Sequence, residues 1–443
     1  MRLIRGWAAG LAAVVFLAAG ETIVRAQDTS TAGGTKPAYT TPEYNAYTDC
    51  TQQKTPAAKV KCLESFATSY PNPALLIYAY PEAYRAYAEL RNFAKVIEFV
   101  DKCLALGDKV DAAGRYAALR ARAFAFNNLN SDDPVQAAKA RQSALDGVKA
   151  LSELKKPDGM EDKTFEDQRK QEAIFFHGTA GVAATKMKDY PAAIESFKAV
   201  LALNPDDPVT NYQIGRAYLA LNPPQPMAGF WSIARAVASK NATEQQAKSV
   251  KAYLRKLLLN YQLANCDNLI DSQMNELIQL AGSSVERPAS YQFPSAADLE
   301  TARNNMTILS VITDLKARGD RAKVTWLAAC GLEFPNVPGK LMAVTPGTDA
   351  VDLKVAFATN DDEFTAAKTP DMDVLVVGQP EAARLVVGNL VQFTATLASY
   401  DPDPFLLHWD KGKANPENIP PEKKQPPKRT PPRRTPPKPK PGQ

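Results

Sequence analysis

The side chains best suited to acid-base chemistry in this sequence are its two histidines, His177 and His408. A nucleophilic serine or cysteine needs such a base within hydrogen-bond reach. No G-x-S-x-G, Walker or H-E-x-x-H motif accompanies either histidine. The carboxylate pairs at 206–207 and 361–362 lie in turn-like segments, where they are expected to cap helices. We therefore expect neither enzyme activity nor a cofactor.

Five cysteines offer redox chemistry instead. None stands in a C-x-x-C pair and histidines are scarce, so no metal site is predicted. In an oxidising compartment, five cysteines allow two disulfides and one thiol. Cys50 and Cys62 flank a helix break at Lys54-Thr55-Pro56, and a helical hairpin there would bring them face to face. We predict a disulfide between them; the alternative is that both are small buried residues. Cys103, at an apolar helix position, is predicted to be a core residue, and the sequence leaves the state of Cys103, Cys266 and Cys330 open.

The first 26 residues have the order of a secretory signal. Arg2 and Arg5 precede the apolar run 7–20, and small residues end the segment at Ala26. An uncleaved anchor is the alternative, but 14 residues span only about 21 Å of a roughly 30 Å hydrocarbon layer. We predict a signal peptide over 1–26, a flexible segment over 27–40, and a periplasmic or secreted mature chain without a transmembrane segment.

From about Tyr44 to Gly331, apolar residues recur at intervals of three and four, with breaks at Pro, Gly or Asn. This period is typical of amphipathic helices. The short breaks favour consecutive helical hairpins. The predicted helices cover 43–53, 57–69, 73–90, 92–106, 109–128, 134–155, 164–187, 190–203, 207–221, 226–239, 243–264 and 267–281.

Matching residues recur 34 positions apart within this region. Gly181 and Gly215 form one such pair, and Phe197 and Trp231 form another. A glycine on one helix lets its partner approach, and a small or aromatic side chain from that partner fills the gap. With DYPAAIESFKAVLALNPDD at 189–207, these blocks resemble the tetratricopeptide repeat.

The resemblance implies a repeat domain over 41–282 whose first helices line a concave groove for a protein or peptide partner. A non-repeating helical bundle remains the alternative. The lysine and asparagine pairs with which some family members bind a terminal carboxylate are not reproduced. Lys186 and Arg216 are ligand contacts on this interpretation, or else merely solvated. The implied groove residues are Thr179, Val182, Thr185, Lys186, Tyr212, Gln213 and Arg216.

A change of composition comes after the repeats. We predict a linker over 283–296, a helical connector over 297–331 and a small β-barrel over 332–412. The barrel strands are expected at 340–344, 350–357, 373–377, 390–399 and 405–409. With the segment YDPDPF, they resemble an oligonucleotide/oligosaccharide-binding (OB) barrel. Five strands are too few for the immunoglobulin-like alternative, and the strands carry too little positive charge to favour nucleic acid.

The last segment, 413–443, is rich in Pro, Lys and Arg and should form disordered, extended polyproline. Residues 411–443 contain ten Lys or Arg against two Glu, a net charge of +8, whereas residues 27–410 carry −5. The tail is therefore expected to attract anionic envelope polymers or lipid head groups. The alternative is a tail that only solubilises the chain.

These features together predict an α+β multidomain protein, with a tetratricopeptide-like helical array, an OB-like five-stranded barrel and a disordered tail. The leading functional hypothesis is a non-catalytic exported scaffold that binds a partner in the groove of its repeats. The second hypothesis is a polyanion-binding envelope protein that acts through the tail and barrel.

Overall fold

A computed structural model describes residues 38–71, 73–129 and 131–422. The predicted signal peptide, residues 27–37 of the flexible segment and residues 423–443 of the predicted tail lie outside this range. Residues 413–422 were predicted as part of the disordered tail, and this was wrong: the last strand, Phe405–Ala414, extends into this segment, and Ile419 packs against the barrel core. The chain divides into two compact units. The helical unit contains residues up to Leu254 together with Asn275–Tyr291, and the barrel unit contains Arg255–Met274 together with the chain from Gln292.

Antiparallel neighbours along the chain build the helical unit, and each predicted helix is present within about three residues of its expected ends. The predicted class, a helical-hairpin array followed by a five-stranded barrel, is confirmed. The helices are α1 (Thr41–Thr51), α2 (Pro56–Ser69), α3 (Pro73–Glu89), α4 (Phe93–Leu104), α5 (Ala112–Leu129), α6 (Pro134–Glu153), α7 (Asp162–Lys186), α8 (Tyr190–Leu203), α9 (Pro208–Leu219), α10 (Pro226–Ala238), α11 (Glu244–Gln262) and α12 (Asp267–Ser283). The last two contribute residues to both units.

Side-chain caps set several helix starts. Thr40 and Glu43 form a reciprocal capping box at α1. Asp207 accepts a hydrogen bond from the Thr210 amide at 2.7 Å, which caps α9 as the sequence predicts. Its neighbour Asp206 instead accepts from the Lys240 amide at 3.3 Å, after α10. One carboxylate of this pair therefore starts a helix and the other joins two hairpins.

Two glycines determine how closely the hairpins pack. A β-carbon on Gly181 would lie 2.4 Å from a ring atom of Phe197, so this contact between α7 and α8 follows the predicted pattern. Gly215 of α9 instead faces Ile233 of α10, at 2.6 Å from such a carbon. Trp231, the expected partner, donates its indole N–H to the Val285 carbonyl at 3.1 Å. The aromatic residue of the second repeat thus secures the chain after α12.

The two predicted cysteine classes are present in the helical unit. Cys50 and Cys62 form a disulfide between α1 and α2, with Cα atoms 5.2 Å apart. Cys103 is a buried free thiol in α4, and burial raises its pKa to about 11. Such a thiol is protonated and inert near neutral pH.

Three short helices begin the second part of the barrel unit. They are α13 (Ala296–Asn304), α14 (Ile308–Ala317) and α15 (Gly319–Ala329). Thr307 starts α14 by accepting from the Ser310 amide, and the helical connector expected over 297–331 thus consists of separate short helices. A second disulfide, Cys266–Cys330, joins the start of α12 to the end of α15.

Five strands then close into a barrel in the order β1-β2-β3-β5-β4. All neighbours are antiparallel except β3 and β5, which run parallel. Inward side chains such as Leu353, Phe393 and Trp409 fill the interior. The strands are β1 (Glu333–Pro346), β2 (Ala350–Phe357), β3 (Met372–Val377), β4 (Leu390–Pro402) and β5 (Phe405–Ala414), and α16 (Asp361–Ala366) lies between β2 and β3.

Strand β1 begins seven residues before the predicted strand. Pro335 and Pro338 favour a later start of the strand, because proline has no backbone N–H to donate to a neighbouring strand. The structure accommodates them at a register shift between Phe334 and Val337. Among the described helices, none is both long and apolar enough to cross a membrane.

Candidate functional site

Three of the predicted groove residues on α7 are engaged within the helical unit. Thr179 is 1% exposed; its hydroxyl donates to the Phe175 carbonyl and accepts from the Asn127 amide at 2.8 Å. Thr185 donates to a carbonyl of its own helix at 2.9 Å. Val182 is partly buried against two hydrophobic clusters. Thr179 therefore stabilises the array and presents almost no surface to a ligand, whereas Val182 and Thr185 are half-buried.

Lys186, at the end of α7, connects two hairpins. Its ammonium group donates to the Ser131 carbonyl at 2.6 Å and lies 3.1 Å from a carboxylate oxygen of Asp132. The same group lies 5.9 Å from the ring centre of Phe126. Only 18% of the side chain is exposed, so this cation is satisfied inside the array.

The remaining groove residues lie on α9, and they meet an aromatic side chain of α11. The ring centres of Tyr212 and Tyr253 are 5.8 Å apart in an edge-on arrangement. The guanidinium carbon of Arg216 lies 5.7 Å from the Tyr212 ring centre. Arg216 is exposed, whereas Tyr212, Gln213 and Tyr253 are half-buried. We call Tyr212, Arg216 and Tyr253 the tyrosine-arginine cluster.

The electrostatics of this cluster favour binding by hydrogen bonds. Burial raises the pKa of the Tyr212 hydroxyl, and the charge of Arg216 only partly offsets that effect. The phenol is therefore protonated at physiological pH and both donates and accepts. Among the described residues, no carboxylate forms an ion pair with Arg216. Its positive charge is therefore available to an incoming acidic group.

Tyr253 is the member of the cluster that the sequence analysis did not name. The 34-residue register of Gly181 and Gly215, continued into α11, places Tyr253 at relative position 12. Position 12 is a groove position in the tetratricopeptide resemblance. Continuing the register by one more repeat identifies this residue even though α11 lacks the matching glycine.

The two histidines lie in different environments. Burial lowers the pKa of His177, which is half-buried on α7. In the barrel, Nε2 of His408 lies 2.9 Å from Asp401 and Nδ1 lies 3.3 Å from Asp373. Both ring nitrogens of His408 are thus occupied by carboxylates from neighbouring strands.

Other concave features do not coincide with the cluster. A cleft of about 380 Å³ lies between α4, α5 and α6, lined by the Asp101–Arg122 ion pair and by Lys139. A second cleft of about 300 Å³ lies beside Arg235, whose guanidinium donates to the carbonyls of Pro205, Ala281 and Ser284. Within the described ranges, no group of three or more His, Cys, Asp or Glu side chains is placed to bind a metal ion.

Comparisons with known proteins add little to this geometry. No family model matches the sequence, and no curated protein matches it. Among solved structures, the chain is similar to a thermophilic tetratricopeptide-repeat protein from Thermus thermophilus. That match has 14% identity and a TM-score of 0.24, and it covers 49% of this chain and 99% of that chain. At this TM-score the similarity supports no argument about a partner.

Proposed function

We propose that this protein is an exported, non-catalytic scaffold that binds a protein partner in the concave groove of its helical array. The tyrosine-arginine cluster is the anchor of that groove. Its occupant is an extended or helical peptide segment with an acidic side chain for Arg216. Tyr212 and Tyr253 supply rigid amphipathic contact area on either side.

One observation carries the proposal: Tyr212, Arg216 and Tyr253 converge from two first helices of successive hairpins while Arg216 stays exposed. Residues that only stabilise a hairpin contact would be buried, as Thr179 is. Tyrosine and arginine dominate the energetics of protein interfaces. An arginine beside an aromatic ring also has a restricted orientation, so less entropy is lost when it binds.

Export is supported by the predicted signal segment and by the cysteines. Cys50–Cys62 and Cys266–Cys330 pair as disulfides, and the fifth cysteine is buried as a thiol. Disulfides persist in oxidising compartments and are rare in the cytosol. The pattern of two bridges and one inaccessible thiol fits a periplasmic or secreted protein.

A non-catalytic role is supported by the histidines. His408 is bound by two carboxylates, which leaves neither ring nitrogen open to activate a nucleophile. His177 shares its helix with predicted groove residues and is half-buried, and burial lowers its pKa. The groove therefore offers contact surface rather than a proton-transfer pair.

We further propose that the barrel is of the OB type and serves as a second docking module. The strand order with a parallel β3–β5 pair supports this type. Polyanion binding by the barrel is not favoured, because residues 332–422 contain six Lys or Arg against fourteen Asp or Glu, a net charge of −8. The second hypothesis therefore depends on the tail alone, which lies outside the described residues.

Site-specific photocrosslinking tests the groove. A photoreactive amino acid replaces Gln213, which lies beside the cluster, and in a second protein it replaces Lys198, which is exposed on the second helix α8. We expect a discrete crosslinked partner from position 213 and none from position 198. The same partner from both positions, or from neither, contradicts the proposal.

The purified partner then permits a quantitative test. We expect Tyr212→Ala and Arg216→Ala each to raise Kd about tenfold or more, as interface hot spots do. The matched control is Glu195→Ala/Lys198→Ala, two exposed residues of α8. An unchanged Kd in both cluster variants, with the fold retained, would refute the role of the cluster.

A further inference from the structure

The outer side of the β2–β3 hairpin is an exposed surface of mixed apolar and acidic character. Outward residues alternate along the strands, and cross-strand pairing places Asp352 beside Leu375 and Lys354 beside Asp373. Val377 pairs with the first residue of β2 at one end. We call this surface, with Asp349 in the preceding turn, the β2–β3 face.

Two aliphatic side chains on this face are unusually open. Leu375 is 42% exposed and Val377 is 49% exposed, although they occupy successive outward positions of one strand. Asp352 beside them is 41% exposed at its side chain. Lys354 lies 2.7 Å from Asp373 and 4.0 Å from Asp352, so Asp349 and the less closely paired Asp352 are the acidic groups that flank the aliphatic pair. Adjacent apolar and acidic groups suit a partner with both properties.

Charge separates sharply between the barrel and the C-terminal tail. Residues 332–422 carry a net charge of −8, whereas residues 423–443 contain eight Lys or Arg and no acidic residue, a net charge of +8. Those 21 residues repeat a five-residue unit, KKQPP, KRTPP and RRTPP, before KPKPGQ. Each unit places a cation pair next to a proline pair. The two properties of the β2–β3 face are thus matched within one segment.

The chain leaves the barrel at the end of the face that Val377 occupies. Just after β3, the Gln379 side chain donates to the Ala414 carbonyl at 2.9 Å, at the end of β5. Ile419 packs against the barrel core, and Arg384 donates to the Pro420 carbonyl at 3.0 Å. A segment that starts here is held close to the face, which raises its effective concentration. In polyproline geometry, 21 residues reach about 65 Å, whereas four strand residues span about 13 Å.

We propose that residues 423–443 dock on the β2–β3 face of their own chain. Proline rings pack on Leu375 and Val377, and the cation pairs interact with Asp349 and Asp352. Lys411 and Lys413 of β5 lie beyond the hairpin and repel the segment, so it keeps to the β2–β3 side. The barrel therefore shields part of the tail from outside anions.

Zero-length carbodiimide crosslinking of the full chain tests this contact, because it joins lysine amines only to carboxylates in contact with them. An equal mixture of ¹⁵N-labelled and unlabelled chains separates crosslinks within one chain from crosslinks between copies. We expect crosslinks within one chain from tail lysines to Asp349 or Asp352, at least about fivefold above those to Asp361 and Asp362 of α16. Between about 50 and 500 mM NaCl the yield should fall severalfold.

A matched pair of variants gives the decisive comparison. Leu375→Lys/Val377→Lys should lower the yield at Asp349 and Asp352 about fivefold, because it adds positive charge and removes the apolar contact. Val386→Lys/Val387→Lys adds the same charge at two similarly exposed valines elsewhere on the barrel and should leave the yield unchanged. Circular dichroism checks that both variants fold. Equal yields at all exposed acidic residues, crosslinks only between copies, or equal effects of the two variants would each overturn the proposal.

Discussion

Gly181 and Phe197 pack so closely that a β-carbon on the glycine would lie 2.4 Å from ring atom Cε1 of the phenylalanine. The contact joins the two helices of the hairpin that carries the first of the predicted groove residues. Gly181→Ala should therefore lower the unfolding free energy by about 1–3 kcal/mol, because the buried ring must move.

Gly178, one turn earlier on α7, is the matched control. Apart from its chain neighbours and the nearby backbone of its own helix, no described atom lies within 4 Å of a β-carbon placed there. Gly178→Ala should raise the unfolding free energy by about 0.5–1 kcal/mol, because alanine favours the helix. Urea unfolding followed by circular dichroism measures both variants. Shifts of the same sign in both would contradict the packing argument.

The two disulfides should differ in their contribution to stability. Cys266–Cys330 closes a loop of 64 residues and Cys50–Cys62 one of 12. In the chain-entropy account these loops correspond to about 4 and about 3 kcal/mol. Replacing each pair by alanine and comparing thermal unfolding checks the order. Because the bridges lie in different units, each loss of stability should appear in the unfolding transition of its own unit. A larger loss of stability from the shorter loop would show that native-state strain dominates.

The ion pair between Arg122 and Asp101 is asymmetric. The arginine side chain is 7% exposed and the aspartate 36%. Asp101→Asn should cost up to about 3 kcal/mol, because it leaves a buried guanidinium without its counter-charge.

Arg122→Met should lower the unfolding free energy by less than about 1.5 kcal/mol. The Asp101 carboxylate would still contact solvent, and it lies 3.8 Å from the ammonium group of Lys139. Chemical denaturation of both single variants checks the difference. Equal losses would mean that the cost comes from packing at this position and not from the unpaired charge.

His177 should make the helical unit less stable in acid. Burial lowers its pKa in the folded state, so the unfolded chain binds a proton at a higher pH than the folded chain does. The stabilisation from the neutral imidazole is complete above the unfolded pKa and is lost as pH falls toward the folded value.

The unfolding free energy should therefore decline from about pH 7.5 to about pH 5.5 in the wild type, and less in His177→Gln. The control His408→Gln lies in the barrel unit and should leave the transition of the helical unit unchanged. An NMR titration of the two histidines measures the pKa of His177 directly, and a value at or above the ordinary one would refute the argument.

Local signals in the sequence predict most of the fold. Helix ends follow caps such as Asp207, and the Cys50–Cys62 bridge follows from a short hairpin. Cys266 and Cys330 are 64 positions apart, and their approach depends on how α15 folds back, which no local pattern encodes. The predicted β1 is too short because the prolines near its start disfavour a strand. The structure accommodates them at an irregularity in the pairing with β4.

The candidate site was harder to predict than the fold. A repeat register gives the position of a residue within its own repeat, but it does not show which side chains of other helices contact that residue. It placed Thr179 on the groove side, but Asn127 from an adjacent helix covers the hydroxyl. The register also placed Lys186 on that side, but its ammonium group donates to the Ser131 carbonyl in the loop after α5. Arg216 is exposed, and its guanidinium lies beside the half-buried Tyr212, whose ring in turn meets Tyr253.

Closure of the barrel limits how any partner recognises it. With the ring β1-β2-β3-β5-β4 complete, every strand has hydrogen-bonded neighbours on both sides. Free backbone edges are confined to strand ends, such as Val344–Pro346 of β1, whose registered partners among the described strands lie in β2 alone. An incoming peptide therefore has little strand length to which it could add. In the proposed docking role, recognition by the barrel therefore depends mainly on surface side chains, so a few substitutions there should change which partner binds.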